Sequence, residues 1–502
     1  MRAWVAGLVV LMAMGCTSEK GDRQPGGDHT PALRLAVVTD LKGYLEPCGC
    51  TSRPLGGIDR MAAKVRSLGE SEVPVLLVMG GDLFFDTAEL EPARVDQAAR
   101  NAHTLVNILN GLNVKAALPG QRDRAQNPEL LAKLEAEAEF PWLAFQGDAE
   151  VIRVDANGVR VAVIGVRPNA DLDAARAAIG TAQAETDVTV VVMSGSRRDA
   201  NRLAAIDGVD FVVQGGLDED DPVAPHQSGR GWVIHASRQG QGLTVVDVFR
   251  QGPGEFSDTS EWSRRLAREN LDAQIADLSR KIEGWKKSGA DRADLEVQGD
   301  RLAKLEAQRE ALDASADGAS GNTFTAQWIE LDPDEPSDAQ VTGLMRTHDK
   351  AVNEANRKAF ADLKPPPLGP NDIAFVGSKA CSTCHAPAYA WWQTHPHGHA
   401  YETLQERNKE FNLDCVGCHV TGYNQPGGST VTWNLDGALV DVGCESCHGP
   451  GAAHLKNPTL DMVRNPPESA CIGCHNEEHS DQFNYDTYRE AVLVPGHGLP
   501  VQ

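Results

Sequence analysis

No cysteine occurs between Cys50 and Cys381, although the chain has 11 of them. Three lie near the start and eight follow from Cys381 onward, which indicates that a cysteine-requiring module is joined to a body that does not need cysteine. Basic residues are scarce relative to acidic ones, 47 against 71, and the net charge of −24 makes nucleic acid and anionic membrane surfaces poor partners. The apolar run from Ala3 to Met14 is too short to span a membrane.

The N-terminus nevertheless has the pattern of an export segment, because the apolar run follows Met1-Arg2 and ends at Gly15-Cys16. Small residues before a lone cysteine resemble a bacterial lipoprotein signal, in which Cys16 is lipidated. We therefore expect a signal peptide at 1–16 and a flexible tether at 17–32, with an ordinary signal peptide as the alternative. Either pattern predicts an exported bacterial protein, periplasmic or anchored to the outer membrane.

The length of 502 residues predicts two to four domains. Buried strands alternate with helices over 33–250, which predicts a layered α/β domain. Apolar residues at four-three spacing predict a helical hairpin or coiled coil at 255–320, acting as a plain stabilising arm or as a partner-binding element. An α+β extension at 321–363 and a stiff proline-rich linker at 364–374 precede the last module, 375–502.

Four Cys-x-x-Cys-His motifs follow the linker, which is the pattern of covalent c-type haem attachment. Two thiols on one helical turn add to the haem vinyl groups, and the adjoining histidine binds the iron from the proximal side. The alternative is a pair of zinc sites with four cysteines each, but zinc does not require a histidine after every pair. The predicted attachment residues are Cys381, Cys384, Cys415, Cys418, Cys444, Cys447, Cys471 and Cys474, and the predicted proximal ligands are His385, His419, His448 and His475.

Methionine is nearly absent from this module. Its one methionine is Met462, so methionine can bind at most one iron. Histidine should therefore supply most of the distal ligands. Because methionine raises the potential of a c-type haem, its scarcity predicts low potentials. The module also has few large apolar residues, so closely packed haems are expected to serve as its core.

The module resembles the small tetrahaem cytochromes that accept electrons from hydroxylamine oxidoreductase. The resemblance lies in Phe375–His385, Trp391–Ala400, Cys415–Tyr423 and Gly443–Gly451 with His454. It implies four haem c groups, with His399, His454 and His497 as distal ligands. It also implies that one haem can be five-coordinate, first of all the one at His419. His395, His397 and His479 are reserve candidates.

The first module resembles the metal-dependent 5′-nucleotidase and metallophosphoesterase family. The matching blocks are Leu35–Asp40, Gly80–Asp82, Leu118–Asp123, Val192–Gly195 and Gln214–Leu217. The resemblance implies a metallophosphoesterase-like sandwich, but only Asp40 and Asp82 remain as orthodox metal ligands. Lys42 and Arg122 stand where the family has histidines. Two-metal hydrolysis needs a full ligand set, so we expect no hydrolase activity and no metal other than haem iron.

The loop after the first strand carries a Cys48-Gly-Cys50 pair, which is found in a redox-type offshoot of that family. The pair is a candidate redox dithiol, soft-metal site or structural disulfide, and these alternatives remain open. A nearby cation such as Arg53 favours the thiolate.

These features together predict an exported multihaem cytochrome, anchored to a membrane by its lipid. It transfers electrons to and from redox partner proteins, and its α/β module holds a partner or a small-molecule ligand. The alternatives are an oxidoreductase acting on a small nitrogen or sulfur compound and a nucleotidase-type hydrolase with an attached cytochrome.

Overall fold

The structure is a computed structural model that describes residues 30–47, 53–144, 147–217, 223–289, 291–314, 321–435, 437–476, 479–480 and 482–500. The predictions for Cys16, Cys48 and Cys50 lie outside these residues. From Pro31 onward the chain forms one compact unit.

Fourteen strands are formed within the described residues. They are β1 Leu33–Thr39, β2 Val75–Gly81, β3 Val114–Pro119, β4 Ala149–Ala156, β5 Val159–Val166, β6 Val188–Ser194, β7 Phe211–Gly215, β8 His226–Ser228, β9 Gly231–Ile234, β10 Gly242–Phe249, β11 Phe256–Asp258, β12 Asn322–Glu330, β13 Val494–Pro495 and β14 Gly498–Leu499.

The α-helices of the same residues are long only in the first two thirds of the chain. They are α1 Ile58–Leu68, α2 Val95–Asn110, α3 Gln121–Arg124, α4 Pro128–Glu137, α5 Leu172–Gln183, α6 Arg197–Ala204, α7 Glu261–Ser288, α8 Arg292–Ala314, α9 Ala339–Ala359, α10 Ser378–Cys381, α11 Ala386–Trp392, α12 Ala400–Gln405, α13 Cys444–His448, α14 Ala452–Lys456, α15 Glu468–Cys471 and α16 Tyr485–Val492.

Two six-stranded mixed sheets form the α/β module. The first has the order β11-β12-β10-β1-β2-β3, in which β1 runs parallel to β2 and antiparallel to β10. The second has the order β4-β5-β6-β7-β9-β8. Near-continuous apolar runs form the central strands because both faces of each sheet are covered. Asn157 and Gly158, both with positive φ, make the tight turn of the predicted β4–β5 hairpin.

The two sheets pack face to face around a shared apolar core. Val37 and Val78 of the first sheet lie in one buried cluster with Val190 and Val213 of the second. Helices α1, α2 and α9 cover the outer face of the first sheet, whereas α5 and α6 cover that of the second. The predicted α/β sandwich is therefore confirmed.

Helices α7 and α8 form the predicted hairpin. The chain reverses after Gly289, which has a left-handed φ of 76°. Arg309 near the end of α8 pairs with Asp272 near the start of α7 at 3.0 Å, so the helices are antiparallel. The chain then returns to the first sheet, because β12 pairs with β10 along eight residue positions.

The last module is built from short helices, turns and irregular segments, as predicted for a multihaem domain. One small apolar cluster is buried there, around Tyr401, Leu404, Val416, Val420 and Val431. Among the described residues, every helix is too short or too polar to cross a bilayer.

Candidate functional site

The two surviving acids of the nucleotidase-like pocket lie side by side where β1 and β2 end. One oxygen of the buried Asp40 accepts the backbone N–H groups of Asp82 at 3.0 Å and Gly216 at 2.8 Å, and its other oxygen has no hydrogen-bond partner. Burial raises the pKa of Asp40 to about 7. The carboxyl group is thus held by backbone amides at the place predicted for a metal ligand.

Asp82 is engaged by an arginine. Its Oδ1 accepts the backbone N–H of Arg122 at 2.8 Å, and its Oδ2 lies 3.5 Å from Nε of the same residue. The guanidinium therefore stands beside the carboxylate that the family uses to bridge two metals.

Asp123 is a buried acid that the sequence analysis missed. It accepts backbone N–H groups from Leu83, Phe84, Phe85 and Gly120 at 2.8–3.0 Å. Burial, together with the neighbouring Asp82, raises its pKa to about 7. Its position directly after the altered Gln121-Arg122 pair was the available signal. The side chain ties the loop after β2 to the start of α3.

The donor set of this pocket does not fit a two-metal centre. Within the described residues, no group of three or more His, Cys, Asp or Glu side chains is arranged to hold a metal ion. Lys42 is buried near the same strand ends, with 7% of its surface exposed. Lys42 and Arg122 occupy positions at which a two-metal hydrolytic site needs histidine ligands.

The four Cys-x-x-Cys-His motifs each form a single tight turn. Helix α13 spans the third motif completely, and backbone hydrogen bonds close the turns of the other three motifs. His385 N–H donates to Cys381 at 2.9 Å, and His475 N–H donates to Cys471 at 2.8 Å. None of the eight motif cysteines forms a disulfide.

Three of the four predicted proximal histidines face a second histidine. The ring centroids are 6.4 Å apart for His385 and His454, 6.0 Å for His448 and His497, and 6.2 Å for His397 and His475. A metal bonded at about 2 Å to one nitrogen of each ring places the centroids roughly 6 Å apart. The three pairs therefore fit an iron bound between them.

Three of these six histidines engage Nδ1 with a backbone carbonyl, which directs Nε2 the other way. Nδ1 of His448 lies 2.6 Å from the carbonyl of Val463, that of His454 lies 2.7 Å from Leu460 and that of His497 lies 2.6 Å from Val492. An Nδ1–H donated to a carbonyl fixes the tautomer and makes Nε2 the metal ligand. This arrangement is typical of metal-binding histidines.

His397 occupies the place expected for His399. Both nitrogens of His399 are engaged, Nε2 with the carbonyl of Gln393 at 2.7 Å and Nδ1 with Glu402 at 3.1 Å, and half of the side chain is exposed. Burial lowers the pKa of His397 to about 4, which keeps its imidazole neutral and able to bind a metal. The structure thus brings His397, and not His399, opposite His475.

His419 differs from the other three histidines that the motifs predict as proximal ligands. Its Nδ1 lies 2.5 Å from the carbonyl of Ala400, so its Nε2 is also directed away from the backbone. Among the described residues, however, no second histidine ring faces it. Of the two remaining reserve candidates, His395 contacts the ring of Trp391, and His479 lies in the turn after the fourth motif.

A polar interface that the sequence analysis missed joins the two modules just before the second motif. Gln97 of α2 donates to Asn412 at 3.0 Å and to Asp414 at 2.7 Å, and accepts the backbone N–H of Leu413 at 3.0 Å. Asn356 of α9 donates to the same glutamine at 2.7 Å. The α/β module therefore holds the segment that leads into Cys415.

A buried lysine extends this interface. Lys409 has only 8% of its side chain exposed and pairs with Glu46 and Asp349. Burial raises the pKa of Asp349 to about 6. Glu46 belongs to the loop after β1, so this loop also contacts the C-terminal module.

Part of the C-terminal module is similar to known cytochromes. Residues 380–449 match the family model "Cytochrome c554 and c-prime". Cytochrome c-554 of Nitrosomonas europaea is 39% identical over 138 aligned positions, which cover 21% of this chain and 58% of that protein. The chain therefore spans less than two thirds of this relative.

Solved structures similar to the chain include two nucleotidases. The 5′-nucleotidase precursor of Thermus thermophilus has a TM-score of 0.44 at 14% identity, over 82% of this chain and 72% of that one. The NAD nucleotidase of Haemophilus influenzae has a TM-score of 0.42 at 12% identity, over 69% and 64%. The C-terminal module of this protein is therefore similar to c-type cytochromes of the c554 kind, and a two-sheet α/β module precedes it.

Proposed function

We propose that the protein is an exported electron carrier with four covalently attached haem c groups. The observation that carries this proposal is the set of three histidine pairs, each with ring centroids 6.0–6.4 Å apart and each containing a proximal histidine of a Cys-x-x-Cys-His motif. The eight motif cysteines would hold the haems, and the haem irons would supply reversible one-electron chemistry.

Three haems are bis-histidine in this proposal. Their ligand pairs are His385–His454, His448–His497 and His397–His475. His397 replaces His399, whose two nitrogens are engaged with other groups. Bis-histidine ligation gives lower potentials than histidine–methionine ligation, so the protein would exchange electrons in the low-potential range.

The fourth haem, attached at Cys415 and Cys418, would have His419 as its single protein ligand. An open position on that iron makes an oxidoreductase acting on a small nitrogen or sulfur compound the second candidate function. The observation that favours it is the absence of a second histidine ring opposite His419 among the described residues.

The α/β module is a ligand or partner module without hydrolytic activity. Arg122 pairs with Asp82 in the former metal pocket, and α2 and α9 hold the segment before the second haem motif. Export, lipidation at Cys16, a redox role for Cys48 and Cys50, and the redox partners remain part of this proposal on sequence grounds.

Haem stoichiometry tests the proposal. The full chain is expressed in a bacterial host with a c-type maturation system, and its haem is measured by pyridine haemochromogen absorbance and intact mass. We expect four haems per chain, and three after the double substitution of any one cysteine pair to alanine. A chain that contains zinc and no thioether-bound haem would overturn the proposal.

A further inference from the structure

A tryptophan lies against the distal histidine of one ligand pair. The indole ring of Trp391 stacks on the imidazole of His497 with a centroid separation of 4.7 Å and an interplanar angle of 12°. The other neighbour of this tryptophan is His395, at 4.6 Å and 37°. Trp391 is thus held between two histidine rings.

These contacts connect two ligand pairs into one series of aromatic rings. His395 lies 4.8 Å from His397, which faces His475 at 6.2 Å, and His497 faces His448 at 6.0 Å. The series therefore runs from the proximal histidine of the third motif to that of the fourth. His385 and His454 do not belong to it.

The segment that carries His497 has little structure of its own. It lies between the two-residue strands β13 and β14, close to the end of the chain. Gly496, with a φ of 86°, approaches Pro387 so closely that a Cβ there would lie 2.4 Å from the proline. Pro387 and Trp391 are four residues apart on α11 and share one face, so this short helix is the surface on which the segment rests.

The turn that carries His397 is fixed by the same region. The backbone N–H of His397 donates to Nδ1 of His395 at 3.3 Å, and its carbonyl accepts the N–H of Val442 at 3.0 Å. Trp392 donates to the carbonyl of Val442 at 2.9 Å. The residue after Trp391 thus anchors the turn, whereas Trp391 itself contacts the rings.

We propose that Trp391 is a positioning residue that sets the ring plane of the iron ligand His497 and, through His395, ties it to the ligand His397. The proposal rests on the bis-histidine haems proposed above. The stacked indole restricts rotation of the His497 ring, which stands at 79° to the ring of His448. Because the ring contacts continue from Trp391 to His395, loss of the indole affects two ligand pairs and leaves the third unchanged.

Electron paramagnetic resonance of the oxidised full-length holoprotein tests this proposal. The low-spin ferric signal of a bis-histidine haem depends on the angle between its two imidazole planes, so each pair contributes its own signal. The signals are assigned with the variants His497→Ala, His397→Ala and His454→Ala, each of which converts one haem to the high-spin form.

We expect Trp391→Leu to shift the His448–His497 signal most, the His397–His475 signal less and the His385–His454 signal not at all. Trp391→Phe, which keeps a stacking ring, restores most of the original spectrum. Trp433→Leu is the matched control, because that tryptophan is 38% exposed and contacts Lys364 instead of a ligand. His395→Leu should shift the His397–His475 signal more than the His448–His497 signal.

Unchanged signals in Trp391→Leu, with four haems still attached, would overturn the positioning role. A uniform change of all three signals would also overturn it, because that outcome indicates general loss of structure. If Trp391→Leu fails to accumulate, the three signals are compared in Trp391→Phe and His395→Leu instead. Unchanged signals in His395→Leu, or a uniform change of all three, would then overturn the positioning role. Absence of any bis-histidine signal in the unmodified protein would instead refute the proposed function.

Discussion

The imidazole rings of His397 and His475 face each other with their centroids 6.2 Å apart, although they belong to the first and last parts of the C-terminal module. His399, two residues further along the chain, points elsewhere and engages both of its nitrogens in hydrogen bonds. The distinction between these neighbours leads to the sharpest mutational prediction.

Replacement of His397 by alanine should convert one low-spin haem to the high-spin form, because the iron at His475 loses its distal ligand. The matched variant His399→Ala should leave the number of high-spin haems unchanged, since that side chain is half exposed and bonded to Gln393 and Glu402. Magnetic circular dichroism of the two oxidised variants measures the number of high-spin haems. The opposite pattern would restore His399 as the ligand.

The free energy of unfolding should fall as the pH rises from about 4 to about 7, because Asp40 has a pKa of about 7 in the folded protein and 3.8 ordinarily. The folded state binds this proton more tightly than the unfolded state. The stabilisation that results is therefore fully present below the pKa of the unfolded state and is lost as the pH rises through the pKa of the folded state. A shift of this size corresponds to a few kcal/mol, at about 1.36 kcal/mol per pKa unit.

Asp40→Asn tests the origin of this dependence. The amide keeps the oxygen that accepts the N–H groups of Asp82 and Gly216, but it cannot ionise. Thermal unfolding followed by far-ultraviolet circular dichroism between pH 4 and 8 should show a flatter profile for this variant. An identical slope in both proteins would assign the dependence to other groups, of which Asp123 is the first to replace.

Gln97→Ala should loosen the segment that leads into the second haem motif. The substitution removes the side chain that bonds Asn412, Leu413 and Asp414, and it costs about 1–3 kcal/mol because the buried Asn356 also loses its acceptor. Limited proteolysis should then cut the 406–414 segment faster. Gln340→Ala, on the exposed start of α9, is the control and should change stability by less than about 0.5 kcal/mol. Equal effects of the two variants would contradict a specific role for Gln97.

Glu445, inside the third motif, should position the first haem site. Its buried carboxylate accepts the N–H groups of Val376, Gly377 and Gly451 at 2.7–3.1 Å, and Gly451 immediately precedes the helix that carries His454. Glu445→Ala should therefore weaken binding of His454 and raise the high-spin fraction of the haem at His385. Glu445→Gln, which retains an acceptor, should have a smaller effect on the same optical and magnetic spectra. A larger effect of glutamine than of alanine would count against this explanation.

Local chemistry was predictable from the sequence wherever spacing alone determines it. The four haem motifs and the β4–β5 turn at Asn157-Gly158 depend only on neighbouring residues. The turn is present as predicted, and each motif forms a tight turn, whereas haem attachment to the motifs remains a prediction. The choice between His397 and His399 depends on a short turn at 396–399 and on where the fourth motif folds back, which no local pattern encodes.

Long-range features were less predictable for the same reason. The pairing of β12 with β10 and the contact of Gln97 with residues 412–414 join parts of the chain that are far apart in sequence. Asp123 looked like an ordinary polar residue, and only burial under the loop after β2 makes it an acceptor for four backbone amides. Such roles depend on tertiary packing.

The visible spectrum of the dithionite-reduced protein, recorded before and after exposure to carbon monoxide, measures how many haem irons have an open position. We predict a Soret change that corresponds to one haem in four, lost when the Cys415 and Cys418 pair is replaced by alanine. A spectrum unchanged by the gas would contradict the open position at His419, and a change in all four haems would contradict the three histidine pairs.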